Sequence, residues 1–148
     1  MPSLQRSALV PHSAQNMFDL VNDVDSYPEF LPWCADAATL DSGADFKVAQ
    51  VRMKKGPLKQ QFTTRNMLTQ GETIKMSLVD GPFKKLEGQW SFTAIGEQGC
   101  RVTFEVEFNF AGLLLQRTLS PVFNEICARM VDAFVKRANQ QFGQQPVR

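Results

Sequence analysis

Few of the 148 residues could carry covalent chemistry. His12 is the only histidine. It has no second histidine, cysteine or carboxylate at ligand spacing, which makes it a poor general base or metal ligand. Its place just before Ser13, a residue suited to cap a helix, predicts a surface-loop side chain. The three cysteines, Cys34, Cys100 and Cys127, form no C-x-x-C pair, and two of them fall in core-like patterns. That pattern predicts reduced thiols in a cytoplasmic protein and argues against a disulfide framework or a zinc site. Glu105 and Glu107 share the charged side of an alternating stretch, where they are solvated rather than paired for acid–base work. Gly81-Pro82 and the run from Gly96 to Gly99 lack the spacing of a phosphate-binding loop. With no activated serine or cysteine, the residues predict no enzyme, no metal and no required cofactor.

What remains is apolar and basic. Tyr27, Phe30, Leu31 and Trp33 crowd four large apolar side chains into seven positions, around Pro28 and Pro32. The two prolines leave room for a single helical turn between them. Such a connector is either a plug closing one end of a core or a lip over an apolar cavity. Charge is unevenly spread. Residues 1–46 hold one basic and seven acidic side chains, residues 47–85 hold nine and two, and the remainder six of each. The basic third, with Arg52, Lys54, Lys55 and Lys59 as its focus, either forms a surface for RNA or anionic lipid or coats the solvent faces of strands.

These residues need elements to position them. Composition, with 43% apolar and 21% charged residues and a net charge of +1, is that of a soluble globular chain of one domain. We expect that domain over residues 1–142, with 143–148 a disordered tail. The N-terminus lacks the apolar run of a signal peptide. The longest apolar run, Phe110 to Leu115, is far short of the roughly 18 residues of a membrane span, so any membrane contact is peripheral. A short strand from Leu4 to Val10 ends at Pro11, and a helix capped by Ser13 places Ala14, Met17, Phe18 and Val21 on one face.

From Trp33 to Phe110 the period is two. Ala49, Val51 and Met53 oppose Gln50, Arg52 and Lys54. Phe62, Thr64, Asn66 and Leu68 alternate with polar neighbours, and Ile74, Met76 and Leu78 follow. Asp80 to Lys85 reads as a longer loop carrying an exposed Phe83. Leu86, Gly88, Trp90, Phe92 and Ala94 precede Val102, Phe104, Val106, Phe108 and Phe110. About seven strands joined by short turns make an antiparallel sheet with one apolar face. Its cover is a terminal helix from Ser120 to Gln141, with Val122, Phe123, Ile126, Cys127, Met130, Val131, Phe134, Val135 and Ala138 along one side. Ser120-Pro121 fits its start, or Pro121 kinks an earlier helical piece, and Gly143 fits its stop. The fold class is α+β, a curved sheet gripping a long C-terminal helix. The inward set, rich in Phe and Met but including Thr64, Asn66 and Gly88, suits either a filled core or the wall of a small-molecule pocket.

Three stretches carry a resemblance: Val24 to Cys34, Phe62 to Asn66, and Asp80 to Phe92. With Pro121 to Phe123 and Met130 to Ala138, they resemble the START-like family of bacterial ribosome-association toxins and mitochondrial coenzyme-Q-binding proteins. The resemblance spans nearly the whole chain. It implies a helix-grip fold with an apolar tunnel between sheet and terminal helix, similar to polyketide cyclases. It implies non-enzymatic binding of ubiquinone or a related prenyl lipid, as a carrier or chaperone supporting respiration, or else association with the large ribosomal subunit that blocks subunit joining. A cyclase or dehydratase activity rests on fold analogy alone. The lipid tail would lie along Phe62, Met76, Leu78, Trp90, Phe92, Phe104 and Phe108, under Phe123, Met130 and Phe134. Tyr27, Phe30, Leu31 and Trp33, with the Phe83 loop, would form a mouth touching the inner membrane. Arg52, Lys54, Lys55 and Lys59 would meet ribosomal RNA.

Overall fold

The computed structural model describes residues 3–143. Period-two alternation produces seven strands: β1 (Ser3–Val10), β2 (Cys34–Ser42), β3 (Phe46–Lys55), β4 (Leu58–Thr69), β5 (Thr73–Asp80), β6 (Phe83–Ile95) and β7 (Gly99–Phe110). They pair antiparallel in one sheet of order β1-β7-β6-β5-β4-β3-β2. Consecutive strands are neighbours throughout β2 to β7, as short turns require, and β1 closes the far edge against β7. The sheet is curved, and three helices lie in its concavity: α1 (Ala14–Asn22), α2 (Leu113–Ala128) and α3 (Met130–Gln141). This is the α+β helix-grip architecture expected from the alternation. No helix among the described residues is long and apolar enough to cross a membrane. The expected disordered tail lies outside the described residues from 144 onward.

Helix α1 starts where its sequence says, with Ser13 Oγ accepting the Asn16 N–H at 3.1 Å. Its buried Met17, Phe18, Leu20 and Val21 face the sheet, and Phe18 meets Phe92 edge-on at 5.8 Å. A 3-10 turn over Val24–Glu29 follows. The helical turn thus precedes and includes Pro28 rather than lying between the two prolines.

The terminal helix differs from the expectation at both its start and its middle. It begins at Leu113, after Gly112 at φ 89°, and Ser120 caps nothing. Ser120 Oγ instead accepts from Gln116 Nε2 at 3.2 Å, while Gln116 Oε1 takes the Phe110 N–H at 2.8 Å. One glutamine thereby ties the start of α2 to the end of β7. Pro121 sits in mid-helix, where its missing N–H deprives the Arg117 carbonyl of a donor. Both residues are on the exposed side, so water can serve that carbonyl. The break falls instead at Arg129, whose φ of −101° and ψ of 0° lie in the bridge region. Its N–H is shared between the Glu125 and Ile126 carbonyls, both at 3.2 Å, a tightened turn that separates α2 from α3. After α3, Gly143 has φ 74°, the left-handed conformation expected for a stop.

Two further expectations fail for one reason. His12 is not a surface residue. It is 2% exposed, with Nε2 2.8 Å from Asn139 Oδ1 and its ring 5.6 Å from Phe142. Phe83 is not an exposed loop residue either. The connection is only Gly81-Pro82, and a bulge between Phe83 and Lys85 turns the ring inward to stack on Phe110 at 4.5 Å. Gly81 permits so tight a turn, since at φ 149° an added Cβ would meet Phe62 Cβ at 2.6 Å. In both cases partners from distant segments supply the cover. Ala94, expected on the inner face, is exposed near the end of β6, beyond the helices' cover.

The helices are held to the sheet by aromatic contacts. Phe123 of α2 packs on Phe108, Phe83 and Phe110, and Phe134 of α3 packs edge-on against Trp90, Tyr27 and Phe30. Phe134 is 1% exposed. Phe134→Ala, which leaves a cavity among three rings, is expected to lower unfolding free energy by about 3–5 kcal/mol in urea denaturation. A cost below about 1 kcal/mol would mean that α3 is not held through this ring.

An apolar cavity and a divided outer face

Between the concave sheet face and α2–α3 lies a cavity of about 80 Å³. Successive inward positions of β3 to β7 build its wall, with Ala49, Val51 and Met53 from β3, Phe62, Thr64 and Asn66 from β4, and Met76 from β5. Leu86, Gly88 and Trp90 of β6 and Phe104 and Val106 of β7 complete the sheet side. Phe123 and Cys127 of α2 and Met130 and Phe134 of α3 form the roof, and Val24, Tyr27 and Trp33 close one end. The break at Arg129 lets the roof residues from two helices converge on one space.

Of the expected lipid-lining residues, Tyr27, Trp33, Phe62, Met76, Trp90, Phe104, Phe123, Met130 and Phe134 border the cavity. Phe30, Leu31, Leu78, Phe83, Phe92 and Phe108 do not. Phe92 is spent on α1, while Phe83 and Phe108 belong to the cluster around Phe123. Several wall positions had the right signal and were left out, such as Val51, Met53, Leu86 and Val106. Their period-two phase already placed them inward. The segment expected as a mouth is not an exposed lip. Leu31 and Trp33 are buried, and Phe30 is covered by the Arg137 guanidinium at 4.9 Å while Arg137 Nη2 donates to Glu29 Oε1 at 2.8 Å. Arg137 therefore fastens this connector onto α3.

The cavity is almost wholly apolar. Among its polar groups, Tyr27 Oη donates to the Val21 carbonyl, and burial pushes its phenol well above the usual range. Thr64 Oγ1 donates to Asn66 Oδ1 at 2.8 Å, with both residues buried. Burial also raises the Cys127 and Cys100 thiols, and it pushes Cys34 up to about 11. All three cysteines are free and buried. No group of three or more His, Cys, Asp or Glu side chains converges at metal-binding distance among the described residues. A larger hollow of about 470 Å³ lies on the opposite face, over Lys75, Glu87, Gln89, Glu105 and Glu107. It is an open, polar saddle and cannot sequester an apolar molecule.

The convex face is divided by charge. Arg52 and Lys54 of β3, Lys59 and Arg65 of β4 and Lys75 of β5 are exposed, and none has an ion-pair partner among the described residues. Lys54 pairs with Lys59 at one end of the β3–β4 ladder, and Arg65, opposite Ser77, and Lys75, opposite Met67, lie towards the other. Lys55 stands apart from this group. It lies on the other side of β3, with Nζ 3.4 Å from Glu125 of α2. Across the sheet, Glu87, Glu105 and Glu107 make the β6–β7 half acidic, and Lys85 is drawn to Glu107 at 2.7 Å.

A curved antiparallel sheet closed by a broken terminal helix over a small apolar cavity defines a helix-grip domain. A family model described as polyketide cyclase/dehydrase and lipid transport matches residues 10–135, and the chain belongs to that family. The ribosome association toxin RatA of Pseudomonas aeruginosa is 48% identical over 95% of this chain and 97% of its own length. The mitochondrial coenzyme Q-binding protein COQ10 homolog B of Xenopus laevis is 30% identical over 95% of this chain and 59% of its own. The crystal structure of the ZhuI aromatase/cyclase from a Streptomyces species superposes with a TM-score of 0.86, covering 98% of each chain at 13% identity, a likeness of fold alone.

The buried thiols give the site a pH signature. Free thiols titrate near 9, and burial raises these three. The unfolded chain therefore releases its thiol protons first as pH rises. Their contribution to stability is complete below pH 9 and is lost progressively above it, with Tyr27 adding to the loss at higher pH. The denaturation midpoint should hold from pH 7 to 9 and fall beyond. Alkylation of Cys34 in the native protein should stay slow through neutral pH and rise only towards pH 11. Fast labelling at pH 7 would mean an open, low-pKa thiol.

Proposed function

We propose that this protein associates with the large ribosomal subunit through the basic half of its convex sheet face. The observation that carries this is the set Arg52, Lys54, Lys59, Arg65 and Lys75, exposed on adjacent strands and without ion-pair partners among the described residues. Cations without ion-pair partners on a rigid sheet are placed to meet RNA phosphates without losing existing salt bridges, although Arg65 also lies over the Phe46 ring at 4.5 Å. The name of the Pseudomonas relative, a ribosome association toxin at 48% identity over almost its full length, supports ribosome association here, and interference with subunit joining is the consequence we infer. Such a protein acts by contact and is not an enzyme. It works in the cytoplasm, where ribosomes are.

The test is co-sedimentation with isolated large subunits across a salt series. The triple variant Arg52→Glu, Lys54→Glu and Lys59→Glu should lose association at least tenfold and flatten its salt dependence, by about one unit of slope per phosphate contact removed. Lys55→Glu, whose side chain is turned to α2, should bind as the unsubstituted protein does. Unchanged sedimentation of the triple variant would sink the assignment.

A second reading rests on the interior. The wall of apolar side chains, with no charged residue among them, suits a neutral lipid of the ubiquinone or prenyl type. The coenzyme-Q-binding name of the Xenopus relative supports it. At about 80 Å³ the space is well below the few hundred Å³ of sites that engulf a small molecule, so loading requires side chains to move. Met76 and Met130 are suited to this, being unbranched and easily re-rotated. Gly88 leaves the room that Met76 occupies, since an added Cβ would stand 2.7 Å from Met76 Cε. The protein would carry or shield such a lipid, with peripheral contact at the inner membrane during exchange. Solvent extraction and mass spectrometry of protein purified under mild conditions should recover a prenyl quinone near one per chain. Gly88→Val, which drives Met76 into the cavity, should abolish that recovery while melting normally. Equal recovery from the variant would place the lipid elsewhere.

A further inference from the structure

We propose that Asn66 is the recognition residue for a carbonyl oxygen on the head of an uncharged lipid, with Thr64 as the residue that positions it. This deepens the lipid reading given above and rests on it. The wall contains no lysine, arginine, histidine or carboxylate, so a fatty-acid carboxylate or a phosphate head would be buried without a counter-charge. Lys47, opposite Asn66 on β3, does not change this. Its Nζ is 2.6 Å from the Asn22 carbonyl, held at the C-terminal end of α1 where the helix dipole favours a cation. The head group admitted is therefore neutral.

Recognition of a neutral head in an apolar wall falls to hydrogen bonds. Tyr27 is already committed to the Val21 carbonyl. An asparagine side chain offers one acceptor oxygen and two N–H donors. At Asn66 the oxygen accepts from Thr64 at 2.8 Å, which restrains the amide and leaves the donor capacity of its N–H pair for a ligand in the cavity that the residue borders. Asn66 is 5% exposed, so a ligand carbonyl meeting its amide would be hydrogen-bonded away from water, where such a bond counts for more than in solvent. The register places this amide beside the space able to open. Asn66 lies opposite Met76, and Met76 opposite Gly88, so swinging the methionine aside clears room next to the amide. The polar character continues along the same end of the sheet. Thr39 lies opposite Ala49, which lies opposite Thr64, and Thr39 Oγ1 and Asn22 Oδ1 are buried without hydrogen-bond partners among the described residues. A ketone or quinone ring held at this end would leave its hydrocarbon tail among the aromatic side chains, under Phe123 and Phe134.

The reporter is built in, because both tryptophans, Trp33 and Trp90, line the cavity. Fluorescence titration of the full chain would use three probes: a decyl-substituted benzoquinone, decylbenzene lacking the carbonyls, and decanoic acid. The unsubstituted protein should bind the quinone about tenfold or more tightly than decylbenzene, and decanoate more weakly than the quinone. Asn66→Leu should bring quinone and decylbenzene to equal affinity with decylbenzene unchanged. Thr64→Val, which leaves the amide in place but unanchored, should lose part of the preference and serves as the second variant if Asn66→Leu melts below assay temperature. A quinone preference that survives both substitutions overturns the role of Asn66 while leaving the lipid reading intact. Decanoate binding more tightly than the quinone overturns the neutral-head assignment. Failure of the unsubstituted protein to bind any of the three overturns the lipid reading itself, and this proposal with it.

Discussion

Two phenylalanines on either side of a single broken turn hold this molecule together. Phe123 reaches the sheet through Phe83, Phe108 and Phe110, and Phe134 reaches it through Trp90 while also gripping Tyr27 and Phe30. The helix must change course at Arg129 to serve both anchor points on a curved surface. A straight helix touches a concave sheet along a limited stretch, so one end or the other would lift away. The residual space between the anchors is the cavity. The cavity is thus a by-product of gripping a stiff rod in a bent sheet, and its roof of Phe123, Cys127, Met130 and Phe134 straddles the break.

Secondary anchors confine what can move. His12 and Phe142 fasten the end of α3 to the segment between β1 and α1, with the His12–Asn139 hydrogen bond at 2.8 Å. Arg137 fastens the Tyr27–Trp33 connector to the same helix through Glu29 and the Phe30 ring. Gln116 fastens the start of α2 to β7. With both ends of the roof and its nearest flank tied down, the cheapest way to change the interior is rotation of methionine side chains rather than displacement of a helix.

The parts legible in the sequence are those set by local repetition. Strict alternation placed the strands and their inward faces, because a strand turns over with each residue whatever it packs against. The Ser13 cap is equally local, needing only a hydroxyl three residues before a backbone N–H. What escaped depended on partners far along the chain. His12 looks like a loop residue until Asn139 covers it, and Phe83 looks like a loop aromatic until a bulge sets it on Phe110. The break at Arg129 follows from the curvature of the sheet, and nothing in that residue's type announces it. Pro121 announced one wrongly, because on a solvent-facing side the lost hydrogen bond is cheap. Inward phase alone could not separate cavity wall from filled core. Phe104 and Phe108 share it, yet only Phe104 borders the space, since Phe123 has taken up Phe108.

The same alternation would let one small sheet present two unlike surfaces. Val51 and Arg52 are adjacent in sequence and face opposite sides, as do Arg65 and Asn66. β3, β4 and β5 therefore each contribute uncharged residues to the cavity and a cation to the convex surface, with the thickness of the sheet between them. The backbone hydrogen bonds that fix the register fix both surfaces together. A lipid entering the concave side shifts side chains there, and the convex cations can feel it only if the sheet itself changes curvature or register. Antiparallel ladders bonded on both edges, as β3, β4 and β5 are, resist register change strongly, because a slip of one residue would turn every apolar side chain outward. The geometry thus favours two sites that share a scaffold while remaining energetically separate, and it locates any coupling in bending of the sheet about the helix it grips.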